Sequence, residues 1–235
     1  MVSTVPLPAG SQIAASASTV TACRHTVRPS GRYGHPVRLS CGNLKGGVGK
    51  STSAVFLACG LSQRGRTLLV DADPQGSILG WSEDAGPGFG VTVIAWPTRD
   101  LAKRVAAVAD DYEHVVIDTG PSQEHLLRQA VAVSDHLIVP VPPSLMDVRE
   151  LARTLQLVDD LEPVRRVTAH VLLTKVRAGT TAARDARAGL TEQGLPVLVS
   201  QVSLREFYSR AWGTPVTKLE DYAAVLDELL SARVA

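Results

Sequence analysis

Short apolar runs alternate with longer amphipathic stretches from residue 37 to the end of the chain. Most of these runs are nearly continuous in Val, Leu and Ile, which is typical of strands that are buried on both faces of a sheet. The runs are Val37–Cys41, Thr67–Val70, Val91–Ala95, His114–Ile117, His136–Val141, His170–Leu173 and Val197–Val202. We predict a strand at each of them.

Helical patterns fall between the predicted strands. Leu101, Val105 and Val108 repeat at helical spacing, and a capping box from Ser144 to Asp147 opens a second, longer amphipathic stretch. Strands and helices that alternate at this length predict the α/β fold class, with a doubly wound, mostly parallel sheet and helices on both faces.

Residues 1–36 differ from the rest of the chain because they are rich in Ser, Thr, Ala and Pro and show no sustained periodicity. We predict that they form a disordered N-terminal extension. The stretch is basic and lacks acids, so it also has the composition of a transit peptide, and a mistaken upstream start codon would leave the same pattern. Residues 37–235 show no internal repeat and are predicted to form one domain.

The net charge of +1 identifies no partner, but the charge is unevenly distributed. Residues 1–70 contain eight Arg or Lys and no acid, which is sparse for a nucleic-acid arm, and the remainder is acidic. No apolar run reaches the ~18–20 residues that a membrane span needs, so we expect no membrane partner. Cys23, Cys41 and Cys59 have no metal-type spacing and indicate reduced thiols and a cytoplasmic location.

A glycine-rich turn follows the first predicted strand and precedes a predicted helix, which is the context that a phosphate loop requires. Its glycines let the backbone approach a triphosphate, and its N–H groups supply partial positive charge. Lys50 can reach the β- and γ-phosphates, and the Ser51 hydroxyl can bind Mg²⁺. The predicted nucleotide-binding residues are Gly46, Gly47, Val48, Gly49, Lys50, Ser51 and Thr52.

Acidic residues follow two other predicted strands. Asp71 and Asp73 lie in the segment D-A-D-P-Q-G, and Asp118 lies in V-V-I-D-T-G-P. Each segment follows the carboxyl end of a strand, the edge at which open α/β sheets bind ligands. We predict that Asp118 holds Mg²⁺ through water and that Asp71 supports the metal shell. A helix cap is the alternative role for such residues, above all for Asp71.

The loop departs from the ordinary phosphate-loop pattern in two places. Leu44 stands where a glycine is expected, and Lys45 adds a lysine five residues before Lys50. The run K-G-G-V-G-K-S-T, followed by D-x-D-P-Q-G and V-V-I-D-T-G-P, resembles the deviant phosphate loop and the acidic motifs of the ParA/MinD family of ATPases. Gly120 is a small departure, since D-T-P-P is more usual. The resemblance covers about residues 37–235.

The resemblance implies a P-loop ATPase that hydrolyses ATP with Mg²⁺ and forms a homodimer around the nucleotide. Asp73 matches the acid that orients the attacking water, and Lys45 matches a lysine that reaches the ATP of the partner subunit, like an arginine finger. A solvated Lys45 is the alternative. The catalytic candidates are Lys45, Lys50, Asp73 and Asp118. Thr174 stands where the family often has Asn and is a candidate for contact with the base.

Branches of the family differ in features that the sequence can test. No cysteine lies beyond position 59, which argues against the branch of iron-protein reductases. The tail from Asp221 is acidic, unlike a basic membrane-binding helix, and predicts a helix that packs on the core. What remains resembles the short ParA-type partition ATPases, which lack an N-terminal helix-turn-helix. That implies a nucleoid-associated protein that binds nonspecific DNA and acts with a ParB-like centromere-binding partner in plasmid or chromosome segregation.

Arginines of the C-terminal third are the candidates for contact with DNA. They are Arg177, Arg184, Arg187, Arg205 and Arg210. Arg184 and Arg187 are spaced to share one face of a helix, although a solvated surface with local ion pairs is the alternative for any of the five. Two other functions remain open: positioning of another cargo on the nucleoid, and cofactor biosynthesis by a P-loop enzyme. Lys45 argues against the second.

Overall fold

The computed structural model describes residues 36–161 and 166–231, and it describes the side chains in these ranges except those of residues 145–150. The extension predicted to be disordered therefore lies outside the described residues, apart from Pro36.

Seven parallel strands form one sheet. They are β1 (Val37–Cys41), β2 (Thr67–Asp71), β3 (Thr92–Ala95), β4 (His114–Asp118), β5 (His136–Val141), β6 (Thr168–Val176) and β7 (Val197–Ser203). Their order across the sheet is β3-β2-β4-β1-β5-β6-β7. Every predicted strand is confirmed, and the sheet that was predicted to be mostly parallel is parallel in all of these pairs.

Helices connect the strands. They are α1 (Lys50–Ser62), α2 (Ser77–Ala85), α3 (Leu101–Val108), α4 (Glu124–Val131), α5 (Leu145–Leu161), α6 (Ala182–Glu192), α7 (Glu206–Arg210) and α8 (Asp221–Ser231). The two predicted amphipathic helices are confirmed as α3 and α5. Across residues 36–161 and 166–231, no helix combines the length and the apolar character that crossing a membrane requires.

The helices lie on both faces of the sheet, as β4 makes plain. Val116 belongs to the apolar cluster beneath α1, α2 and α8, whereas its neighbours Val115 and Ile117 belong to the cluster beneath α3 and α4. Neighbouring residues of a strand point to opposite faces, so the two clusters lie on opposite sides of the sheet. A further cluster packs α5 and α6 against β5 and β6. Tyr222 and Leu226 of α8 are buried in the first cluster, which confirms that the tail packs on the core.

The order of the strands reverses direction at β1, which lies between β4 and β5. Cys41, Asp118 and Asp71 pair in register at the carboxyl ends of β1, β4 and β2. The glycine-rich turn that follows β1 therefore lies next to both predicted acidic segments. A switch point of this kind is where open α/β sheets bind their ligands.

Candidate functional site

The loop between β1 and α1 turns through two glycines in the left-handed region, Gly47 at φ 72° and Gly49 at φ 99°. Residues with a side chain rarely adopt that region, so the turn depends on glycine. Gly49 also caps α1, and no side chain caps the helix and no acid occupies its first turn. The N–H groups at the start of this 13-residue helix thus remain available to an anion.

Lys50 is held inside the loop. Its ammonium donates to the carbonyl oxygen of Lys45 at 2.6 Å, and the residue is 6% exposed. Burial lowers the pKa of Lys50, while the nearby carboxylates of Asp118 and Asp73 act in the opposite direction. The cation is therefore placed between the loop and the acidic segments, where a phosphate chain would offset its loss of hydration.

Asn43 braces the start of the loop, a role that the sequence reasoning missed. Its Nδ2 donates to the carbonyl of Pro140 at 2.9 Å, and its Oδ1 accepts the N–H of Lys45 at 2.9 Å. Thr154 of α5 accepts the N–H of Leu44 at 3.3 Å. The position of Asn43, two residues after a strand and at the start of the loop, is the signal that could have identified it, because Asn readily bonds the backbone two residues on.

Asp118 is fully buried, as Asp71 is. It is 0% exposed, and among the described residues neither carboxylate oxygen makes a hydrogen bond of ordinary length and angle, although the Ser51 hydroxyl lies close enough to favour the ionised form. Burial raises the pKa of this carboxyl to about 8, with Asp71 adding to the rise while Ser51 and Lys50 oppose it. A buried carboxylate with no ordinary hydrogen bond, near a serine hydroxyl, has the chemistry of a Mg²⁺ site. The predicted pair Ser51 and Asp118 therefore fits the ion.

Both carboxylate oxygens of Asp71 already accept hydrogen bonds from backbone N–H groups. Its Oδ1 accepts the N–H of Asp73 at 3.1 Å, and its Oδ2 accepts those of Ile78 and Leu79 at 2.9 and 3.0 Å. These bonds cap α2 and fix the segment D-A-D-P-Q-G. No group of three or more His, Cys, Asp or Glu in the described ranges can hold a metal. The metal role of Asp71 stays a prediction, and the cap is the role that the structure supplies.

Asp73 lies beside Gly120. Asp73 Oδ1 accepts the N–H of Gln75 at 2.9 Å, which orients the carboxylate. A Cβ atom at position 120 would lie 2.8 Å from that same oxygen, closer than real Cβ contacts come. The carboxylate of Asp73 therefore lies where a side chain at position 120 would have to be.

Thr174 touches the phosphate loop. Its buried hydroxyl donates to the carbonyl of Val48 at 2.8 Å. The side chain predicted to contact the base therefore supports the loop from β6, and its contact with a base stays a prediction.

Three of the five candidate arginines line one cleft at the carboxyl ends of β6 and β7, together with Gln201 and Ser203. Arg177 is exposed, and Arg184 has a side chain that is 78% exposed and lies 3.3 Å from Asp185. Arg187 is half-buried, because its guanidinium donates to the carbonyl of Leu198 and to Gln201 Oε1. Arg184 and Arg187 share one face of α6, as predicted, but the guanidinium of Arg187 is hydrogen-bonded to β7.

Of the other two candidates, Arg205 precedes α7 and Arg210 is its last residue. Arg205 pairs with Glu220 at 3.0 Å and with Asp221 at 3.4 Å, whereas Arg210 pairs with Glu206 at 2.7 Å across one helical turn. The five residues together are called the arginine surface below. Within it, Arg177, Arg184 and Arg210 are the most accessible, and their contact with DNA stays a prediction.

Known families and proteins resemble this chain over most of its length. The family model described as "CobQ/CobB/MinD/ParA nucleotide binding domain" matches residues 39–213. The "Maintenance of carboxysome distribution protein A" of Gloeobacter kilaueensis is 34% identical over 186 residues, which cover 78% of this chain and 83% of the relative. "Protein ParA" of Rhizobium radiobacter is 25% identical over 171 residues, or 70% and 77% of the two chains.

A solved structure shares the fold. A complex of Cyanothece McdA with ATP superposes with a TM-score of 0.70 at 19% identity, covering 83% of this chain and 96% of the other. The matched family model covers most of the chain and includes the phosphate loop and both acidic segments. The chain therefore belongs to the CobQ/CobB/MinD/ParA family of nucleotide-binding domains.

Proposed function

We propose that this protein is a Mg²⁺-dependent ATPase that binds nonspecific DNA as an ATP dimer and leaves it after hydrolysis. The observation that carries the Mg-ATP part of the proposal is the fully buried carboxylate of Asp118, which makes no ordinary hydrogen bond and lies close to Ser51 and Lys50. In this setting a metal–phosphate complex offsets three unfavourable features at once: the buried acid, the buried lysine and the uncapped N-terminus of α1.

The residues of the chain take separate parts in the reaction. Backbone N–H groups of the loop would bind phosphate oxygens, and the ammonium of Lys50 would exchange the Lys45 carbonyl for the β- and γ-phosphates. Ser51 and Asp118 would hold Mg²⁺, which when bound offsets phosphate charge. Asp73 would orient the attacking water, because the N–H of Gln75 fixes its carboxylate.

Lys45 would make formation of the dimer depend on bound ATP. Its carbonyl serves Lys50 of the same chain, and its side chain is proposed to reach the ATP of a second subunit, as the resemblance implies. Because the Lys45 ammonium would bind only the ATP of the other subunit, ATP would become part of the dimer interface. ATP would then favour the dimer, and loss of the γ-phosphate would release it.

The arginine surface would bind DNA through its phosphates. Arg177, Arg184 and Arg210 are exposed and could neutralise phosphates without regard to sequence. A monomer offers half as many contacts as a dimer, so its affinity would be much lower.

Two cargoes fit this switch. The first is a plasmid or chromosome, with a ParB-like centromere-binding protein that stimulates hydrolysis, as the similarity to ParA of Rhizobium radiobacter supports. The second is another cargo positioned on the nucleoid, which the similarity to a carboxysome distribution protein supports. Deleting the gene separates them, because the first predicts loss of a replicon from daughter cells and the second predicts clustering of a cargo in cells that keep all replicons.

Asp73→Ala tests the switch itself. We expect kcat for ATP to fall by about 100-fold or more while Mg-ATP affinity stays within a few-fold, because water is no longer oriented but the phosphate contacts remain. The variant should then stay on DNA with ATP. Asp159→Ala, at an exposed position of α5, is the matched control. Hydrolysis at the normal rate by Asp73→Ala would show that another residue orients the water.

A further inference from the structure

Lys175 reaches the phosphate loop from the neighbouring end of β6. Its ammonium donates to the carbonyl oxygen of Gly47 at 2.6 Å, across 128 positions of sequence. The preceding residue, Thr174, donates to the next carbonyl of the loop, that of Val48. Two consecutive side chains of β6 therefore bind two consecutive carbonyls of the phosphate loop.

Because the peptide bond is planar, these two contacts also fix the direction of the loop N–H groups. In a trans peptide the C=O of one residue and the N–H of the next point in opposite directions. Holding the carbonyls of Gly47 and Val48 against β6 thus directs the N–H groups of Val48 and Gly49 to the other side of the loop. Successive N–H groups that point to one side form an anion-binding nest.

The backbone of Lys175 is strained in a way that serves this contact. Its φ is +54°, a left-handed value at a residue that is not glycine, and the pairing of β6 with β7 shifts register between Leu173 and Val176. A left-handed lysine costs conformational energy that the surrounding structure has to offset. The ion–dipole bond to Gly47 is the contact that the unusual backbone brings within reach.

We propose that Lys175 is a positioning residue for phosphate binding: it clamps the Gly47 carbonyl so that the loop presents its N–H groups to the triphosphate. The cation also polarises the peptide that it binds, which makes the N–H on the far side a better donor. Lys175 differs in role from Lys50, because it holds the loop from outside and does not contact the phosphates. The inference rests on the proposed nucleotide site and adds a residue to it.

The test combines Lys175→Met with hydrogen exchange and nucleotide binding. In the nucleotide-free protein, amides of residues 46–52 should exchange faster in Lys175→Met than in wild type, because the tether is lost. Affinity for a fluorescent ATP analogue with Mg²⁺ should fall by about threefold to tenfold, the effect of one exposed charged hydrogen bond. KM should rise by a similar factor while kcat changes less than about twofold.

Three further variants separate the clamp from general destabilisation. Lys175→Arg retains a cation that can bind the carbonyl, so it should keep affinity within about twofold. Lys175→Gly removes the backbone strain, so it should melt at or above Lys175→Met yet lose the same affinity. Lys103→Met, at an exposed position of α3, should behave as wild type.

The possible failures are distinguishable. If wild type and Lys103→Met bind no Mg-ATP, the proposed function is wrong, while exchange in the nucleotide-free protein still tests the clamp. If Lys175→Met binds Mg-ATP normally and its loop amides exchange at the wild-type rate, the clamp is wrong and the nucleotide site stands.

Discussion

The phosphate site and the arginine surface lie at the same edge of the sheet, but they are built in different ways. In the phosphate site, Lys50 and Asp118 are buried within fixed backbone, where a bound metal–phosphate complex would stabilise their charged forms. On the arginine surface, charges are exposed or already paired, as Arg205 is with two carboxylates.

The difference shows which residues contribute the binding free energy at each of the two sites. A buried, preorganised charge is strengthened by its low-dielectric surroundings, so one residue can decide whether a ligand binds. An exposed arginine contributes little binding free energy by itself, so DNA binding needs several such arginines. We therefore expect one substitution at the buried lysine to reduce nucleotide binding strongly, whereas DNA binding should depend on how many subunits act together.

The largest effect is expected for Lys50→Ala. Affinity for a fluorescent ATP analogue should fall by about 100-fold or more, because the buried cation has no substitute among the loop amides. Lys103→Ala is the matched control on α3. Binding by Lys50→Ala at the wild-type level would contradict the role of the buried lysine.

Asp118→Asn should separate stability from function. We expect the nucleotide-free variant to be more stable than wild type at pH 8 by about 1–3 kcal/mol in urea unfolding, because a buried acid with no ordinary hydrogen bond is removed. Its Mg²⁺-dependent hydrolysis should be lost.

The advantage of Asp118→Asn should depend on pH in a defined direction. The folded-state pKa of Asp118 is raised from its ordinary value near 3.8 to about 8. Wild type therefore loses stability as pH rises from about 4 to about 8, since the unfolded chain releases this proton first. The variant cannot titrate there, so its advantage should shrink toward pH 4. An advantage that grows as pH falls would contradict the assigned burial of the carboxyl.

Lys45→Ala should weaken assembly more than binding. Each subunit should still take up Mg-ATP with affinity within a few-fold of wild type, because Lys50 and Ser51 remain. Dimerisation with ATP should weaken by about tenfold or more, since a cation across the interface is lost. Light scattering with ATP measures this directly, and a normal ATP dimer would exclude the role in trans.

The smallest single effects are expected on the arginine surface. Arg177→Ala with Arg184→Ala should lower DNA affinity and make the log–log salt slope of the dimer shallower by about 2 to 4, from ~0.9 per phosphate. Nucleotide binding should be unchanged. Arg187→Ala should instead lower stability by about 1 kcal/mol, because its bonds to β7 are lost.

A deletion of residues 1–36 controls for Arg24, Arg28 and Arg32, which could supply the same charge. If the deletion abolishes DNA binding and the double variant does not, the arginine surface is the wrong interface.

Much of the fold could be predicted because its strands are buried on both faces and stand out as apolar runs. The short helix α7 was not predicted, since five residues carry no usable periodicity. The phosphate loop and its acids are contiguous motifs, so they too were visible in the sequence. The supports from Asn43 and Lys175 were not, because they depend on which distant strands end beside the loop. Local sequence does not encode that proximity, and it likewise left open whether Asp71 caps a helix or serves a metal.

The most direct test of the nucleotide-gated switch is sedimentation velocity with a labelled DNA duplex of arbitrary sequence, with Mg-ATP, with Mg-ADP and without nucleotide. We expect a dimer that sediments with DNA in Mg-ATP alone, and a monomer that leaves most of the duplex unbound in the other two conditions. Equal binding of DNA in all three conditions would contradict the coupling between the phosphate site and the arginine surface.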